Sequence, residues 1–212
     1  VFVVAVATAA DGVAAGAPPP DSGYEVGARA GYGVPFGAEA AGAPMAHLAR
    51  WSVPAAIDVG YRVNPNLYAG LLFEYRWLGL DDNGLGCNRS PVDGPGACSG
   101  SSMRVGANVQ WRSRADTQLA PWIGAGIGYE WIAVAYGPGG GPAFTSSARG
   151  PEIARLEIGA DGRVLPDLVV GPVVAWSAGR FSTHDIFPST SGSGGAFHYW
   201  LVVGVRVAFT VR

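Results

Sequence analysis

Residues 155–164 read Arg155-Leu156-Glu157-Ile158-Gly159-Ala160-Asp161-Gly162-Arg163-Val164. In an extended chain, successive side chains point to opposite faces. Arg155, Glu157, Gly159, Asp161 and Arg163 therefore share one face, and Leu156, Ile158, Ala160 and Val164 share the other. Such a segment belongs between an apolar medium and a polar one, and the rest of the chain decides which media these are.

The same alternation recurs in seven further segments, here given as expected strands. They are Tyr24 to Val34, Trp51 to Val63, Leu67 to Leu78, Ser102 to Arg112, Gln118 to Tyr136, Leu168 to Gly179 and Phe197 to Arg212. In the first, Tyr24, Val26, Ala28, Ala30, Tyr32 and Val34 oppose Glu25, Gly27, Arg29, Gly31 and Gly33 without exception. Asn64-Pro65-Asn66, Ser113 to Thr117 and Leu165-Pro166-Asp167 are rich in turn formers and read as tight reversals. The other connections are long and rich in Gly, Ser and Pro, about 14–20 residues each, and such loops are uncommon inside compact soluble domains. Short and long connections alternate, as they do in an up-and-down barrel with one short-turned rim and one long-looped rim.

Composition narrows the class. The chain has 212 residues, of which 14% are charged and 49% hydrophobic, a low charge density for a water-exposed surface. Its formal net charge of -2 and the lack of a basic stripe argue against a nucleic-acid partner. All 14 basic residues are arginine, which suits a packed, ion-paired interior because the guanidinium stays charged and binds carboxylates as a planar fork. A GC-rich codon usage explains the same bias equally well. No apolar run reaches the 18–20 residues of a spanning helix. Residues 1–23 read as the remnant of an export signal, with Ala7-Thr8-Ala9 as a small-x-small cleavage site, followed by a flexible Pro-rich lead-in. Residues 24–212 form the one folded domain.

Parity alone leaves open which face is inside, and a soluble lipocalin-like barrel binding an apolar ligand has the opposite orientation. Side-chain size and aromatic placement favour the apolar face outward. The bulky residues lie on the apolar face and the glycines on the polar one, and a small barrel's interior is only just wide enough for its side chains. Aromatics collect at both ends of the apolar face. Tyr32, Trp51, Tyr75, Trp77, Tyr129, Trp131, Trp176 and Tyr199 mark the long-loop end, and Tyr24, Tyr61, Trp111 and Phe209 mark the short-turn end. Two such girdles suit two membrane interfaces. The expected fold is all-β, an eight-stranded antiparallel up-and-down transmembrane β-barrel, closed because an open sheet edge in hydrocarbon would leave a row of unpaired amides.

In strand number, loop alternation and girdles, the chain resembles the small outer-membrane β-barrel family of OmpA and OmpX type across roughly residues 24–212. The resemblance implies location in the cell outer membrane of Gram-negative type, contact with outer-membrane lipid, and insertion by the barrel-assembly machinery. In that family the machinery reads an aromatic at the end of the last strand. Here Phe209 precedes Thr210-Val211-Arg212.

The candidate functional residues follow from the polar face. Arg29, Arg62, Arg76, Arg104, Arg112, Arg155, Arg163 and Arg206 stand against Glu25, Asp58, Glu74, Glu130, Glu157 and Asp161, and near-balance predicts a cross-strand ion-pair network in the lumen. The turn at Ser113 to Thr117 places Arg104 opposite Gly126, with glycines making room for the guanidinium. The alternative is a narrow Arg-lined pore for small solutes. Cys87 and Cys98 are the only cysteines and are expected to form a disulfide in an outer loop. No metal or other cofactor is expected. Ser182-Thr183-His184-Asp185 carries hydroxyl, imidazole and carboxylate, but neighbours in a loop seldom reach triad geometry and the segment reads as solvated. His47 and His198 read as ordinary polar positions, and 137–142 as a flexible Gly-Pro loop. The expected protein is a non-enzymatic, monomeric envelope barrel with a structural or surface-interaction role carried by its outer loops.

Overall fold

A computed structural model of the chain describes residues 22–40, 43–80, 97–113, 119–137, 144–185 and 197–211. In chain order the elements are β1 (Gly23–Ala40), β2 (Ala43–Pro44), α1 (Met45–Leu48), β3 (Ala49–Asn64), β4 (Leu67–Leu80), β5 (Ala97–Arg112), β6 (Leu119–Gly137), β7 (Phe144–Leu165), β8 (Leu168–Arg180), β9 (Thr183–Asp185) and β10 (Phe197–Val211). The eight long strands pair antiparallel with their sequence neighbours, and β10 returns to β1 with Tyr24 opposite Val211 and Gly37 opposite His198. The sheet is therefore a closed up-and-down barrel. The two short strands are additions at its outer rim, β2 against β1 and β9 against β7.

The orientation is settled by exposure. Leu71, Ile127, Ile158 and Val203 on the apolar face are 67%, 65%, 58% and 56% exposed, whereas Asp58, Arg206 and Glu130 on the polar face are at most 1% exposed. The lipocalin-like alternative needs the reverse arrangement and is excluded. An apolar exterior of this kind is stable only against hydrocarbon.

The short reversals have local causes. At the β3–β4 turn the Asn64 side-chain oxygen accepts hydrogen bonds from the backbone N–H of Asn66 and of Leu67, both at 2.9 Å. Asn66 then exchanges bonds with Arg112, its Nδ2 donating to the Arg112 carbonyl at 2.7 Å, so the turn is fastened to β5. Pro166-Asp167 closes β7 onto β8, and the Asp167 carbonyl accepts from Thr210 N–H at 2.9 Å.

Three expectations are corrected. The strands run further at the outer rim than the alternation suggests: β1 reaches Ala40, β5 begins at Ala97 and β7 at Phe144, so much of the expected loop length is sheet. There the inward positions turn apolar, as at Ile132, Val134 and Ala148, and period-two contrast between the faces is lost. Ser182-Thr183-His184-Asp185 is no loose loop either, because Thr183–Asp185 pairs with Ser147–Arg149. Arg104 lies opposite Glu130, and Gly126 opposes Asn108. Arg112 faces Trp122 across the turn, and Leu119–Pro121 continue downward to pair with β7, which shifts the register by an even number of residues and preserves the faces.

The interior is also less glycine-dominated than expected. Tyr68, Trp122 and Trp200 are buried in the lumen at 0%, 3% and 1% exposure. The glycines accommodate them. A Cβ on Gly60 would stand 2.7 Å from Tyr68 Cζ, and one on Gly159 would stand 2.5 Å from Trp122 Cζ2.

Candidate functional site

The lumen is filled by one continuous charge network. At the short-turn end Arg62 bonds Glu25, which also accepts from Arg206 at 2.6 Å. Arg206 donates to Asp161 at 2.8 Å, and Asp161 further accepts from Arg112 at 2.7 Å and from the Trp122 indole N–H at 3.0 Å. Arg206 lies 3.6 Å from Asp58, which accepts from Arg29 at 3.0 Å and from the Tyr68 hydroxyl at 3.1 Å. Arg29 reaches Glu157 at 2.6 Å, and Glu157 pairs with Arg155.

The outer half continues from Arg155 to Glu74 at 3.4 Å. Glu74 holds Arg76 at 2.5 Å and Arg104 at 2.8 Å, Arg104 pairs with Glu152, and Arg76 reaches Glu130 at 3.3 Å. Glu130 ends the chain by accepting from Ser102 at 2.7 Å and meeting His198 Nε2 at 2.9 Å. Seven arginines (29, 62, 76, 104, 112, 155, 206) thus meet seven carboxylates (25, 58, 74, 130, 152, 157, 161), all buried. Arg163, at the short-turn end, is half-buried.

Two members were not found by sequence reasoning. Glu152 is buried although it lies an odd number of residues from Arg155, because the β7 register shifts between Glu152 and Ala154 against β8. A bulge puts an extra residue in one strand and so resets parity. His198, expected as an ordinary polar position, is 1% exposed, bonded to Glu130 and stacked on Phe181 with ring centroids 3.9 Å apart. Its inward parity in β10 was the available signal.

Against His198, through Phe181, lies an apolar cluster that forms a plug at the outer end of the lumen. The single turn α1 drops Met45 and Leu48, 0% and 3% exposed, into a ring made by Leu78, Ile132, Val134, Phe181 and Trp200. Trp200 in turn lies under Arg76, whose guanidinium carbon is 4.6 Å from the ring centre. The plug and the network therefore share a boundary. Within the network, a cavity beside Arg29, Glu74 and Arg155 has a volume of about 20 Å³. That is room for about one water.

On the outside, Tyr24 packs edge-on against Tyr61 at 5.3 Å in the lower girdle, with Trp111 and Phe209 about half exposed. In the upper girdle Tyr32 stacks on Trp51 at 6.2 Å, Tyr75 meets Trp77 at 5.0 Å, and Tyr129 meets Trp131 at 4.7 Å. Trp176 stacks on Tyr199 at 5.9 Å, and Tyr199 on Phe36 at 5.2 Å. Cys98 lies in β5 opposite Tyr136, whereas Cys87, residues 1–21 and 138–142 lie outside the described residues. No cluster of metal-ligating side chains occurs among the described residues.

A closed eight-stranded barrel, apolar outside and ion-paired inside with aromatics at both rims, is a transmembrane β-barrel of the outer-membrane type. Comparison with solved structures gives the same fold. The chain is similar to Neisserial surface protein A (TM-score 0.54, 17% identity, 88% of this chain and 97% of the other). It is similar also to a major outer membrane protein of Thermus thermophilus (0.55, 13%, 90% and 99%). A third similar structure is Ail, the attachment invasion locus protein of Yersinia pestis, solved in complex with the heparin analogue sucrose octasulfate (0.52, 12%, 88% and 99%). No protein-family model and no curated protein matches the chain.

Proposed function

We propose that the protein is a non-enzymatic integral barrel of the outer membrane whose lumen is closed, and whose interactions take place on its lipid-facing and outer surfaces. The observation that carries this reading is the continuous ion-pair network beneath an apolar plug. Conduction needs a wetted path, yet seven guanidinium groups here are held by seven carboxylates, and the outer opening is filled by Met45 and Leu48. Refolded protein in planar bilayers is expected to give no conductance steps. Discrete, reproducible steps would establish the second reading, a narrow Arg-lined pore. That reading draws support from Asn108, between Gly70 and Gly126, whose two amide atoms have no protein partner in the lumen.

Folding is proposed to require outer-membrane lipid and the barrel-assembly machinery, with the monomer as the working unit. Every long strand is already paired on both sides, so no edge remains to recruit a second copy through backbone hydrogen bonds. The Ail complex with the heparin analogue sucrose octasulfate is in keeping with a binding role for a barrel of this fold.

Cys98 is proposed to pair with Cys87. No free cysteine occurs among the described residues, and an oxidising envelope favours the bond. Alkylation of the denatured, non-reduced protein is expected to leave its mass unchanged, and reduction first is expected to add two labels. Two labels without reduction would refute the bridge.

A further inference from the structure

The two halves of the lumen network meet at one loose contact. Arg155 pairs with Glu157 on the inner side and reaches Glu74 on the outer side at 3.4 Å, longer than the span of about 2.7–3.2 Å of an ordinary N–H···O bond. Among the described residues no other ion pair crosses from one half to the other. The side chains above it run from Glu74 through Arg76 and Glu130 to His198, and His198 stacks on Phe181 of the plug.

The cavity of about 20 Å³ lies at this junction, since Arg29, Glu74 and Arg155 all line it. The rest of its lining is small or apolar, as at Pro54, Ala56 and Val202. Arg29 commits its Nε to Asp58 at 3.0 Å and its Nη1 to Glu157 at 2.6 Å, yet its Nη2 is buried with no hydrogen-bond partner. Its side chain is only 6% exposed, so bulk solvent does not supply the missing acceptor. In the same lining, Glu74 Oε1 accepts one bond, from Arg76 Nε at 2.5 Å. A carboxylate oxygen has room for about two. One small cavity thus brings together a donor without an acceptor and an acceptor with spare capacity.

We propose that this cavity binds a single ordered water, which accepts from Arg29 Nη2, donates to Glu74 and so completes the junction. The identity of the ligand follows from three properties of the lining. It offers a donor and an acceptor, so the occupant must both accept and donate. It carries charges of both signs, so an anion would meet the Glu74 carboxylate and a cation would meet two guanidinium groups. Its volume is that of about one water. An unpaired Nη2 in a dry interior is costly, and a bridging water removes that cost almost as well as a direct bond. The outer half of the network is then joined to the inner half by one long ion pair and one exchangeable molecule. The inference rests on the closed lumen proposed above, because a conducting lumen would fill this site with mobile solvent.

The test is a high-resolution crystal structure of the full-length protein in detergent, grown with sodium bromide in place of chloride and recorded at the bromine absorption edge. The expected result is an oxygen-sized peak within about 2.7–3.2 Å of both Arg29 Nη2 and a Glu74 carboxylate oxygen, without anomalous signal. An anomalous peak in the cavity would overturn the proposal and assign the site to a halide. A cavity free of density, in a map that shows ordered waters elsewhere on the barrel, would overturn it as well. The planar-bilayer recording separates this inference from the reading beneath it. An empty cavity without conductance would overturn the water alone, and conductance steps would overturn both.

Discussion

Replacing Arg206 with methionine is expected to destabilise the barrel by about 3–5 kcal/mol, the range for removing one partner of a buried ion pair. Arg206 is fully buried and holds carboxylates from three strands: Glu25 of β1 at 2.6 Å, Asp161 of β7 at 2.8 Å, and Asp58 of β3 at 3.6 Å. Its loss brings these anions together with less compensating charge in a dry interior, where each unpaired ion is costly. Lysine at 206 should recover only part of the loss, because a single ammonium cannot reproduce the fork. The double variant Arg206→Met, Asp58→Asn should be more stable than Arg206→Met alone, since it removes one anion for the one cation lost and leaves Arg29 its pairing with Glu157. Urea unfolding in phospholipid vesicles, followed by tryptophan fluorescence and heat-modifiable gel mobility, measures all four proteins. A single variant as stable as the wild type would show that water, and not the network, solvates these charges.

The second large effect is expected on the opposite face. Ile127 is 65% exposed and lies on β6 midway between Trp131 of the upper girdle and Ile123, which pairs with Trp111 of the lower one. That places it near the bilayer midplane. Ile127→Arg should cost about 2–4 kcal/mol in vesicles, whereas Phe36→Arg, at the outer interface, should cost about 0–1 kcal/mol. An exposed isoleucine in water would accept the same change with little penalty. The difference between the two substitutions therefore measures depth in a membrane, and equal costs at the two positions would contradict the proposed span.

These two residues also show what could be read from the chain and what could not. Arg206 and Ile127 follow strict alternation in strands that span hydrocarbon, where one face must be polar and the other apolar, so parity alone assigns them to opposite faces. Closure and strand number follow from the same pattern. Pairing partners are a different matter, because an even register shift keeps every side chain on its face while changing its neighbours. Arg104 accordingly meets Glu74 and Glu152 and sits opposite Glu130 instead of Gly126. Glu152 escaped notice for the complementary reason, since the bulge near Ala154 reverses parity with no mark in composition. The plug was illegible because Met45-Ala46-His47-Leu48 is too short to show helical periodicity, and its burial depends on a ring gathered from three strands and Phe181. His198 gained its role from Glu130, 68 residues away in the chain.

The bond between Arg206 and Glu25 joins positions separated by 181 residues. It closes the seam where the last strand meets the first, and neither group can be satisfied until nearly the whole chain has been arranged. Contacts of such long range make folding slow, because the entropy of bringing distant segments together is lost before the contact forms. A chain arrested with seven of its strands in place would still hold Glu25, Asp58 and Asp161 without their shared cation. It would remain an open, hydrated sheet unsuited to hydrocarbon. The charges of the lumen thus act as a completion check, allowing the barrel to dehydrate its interior only after β10 has arrived.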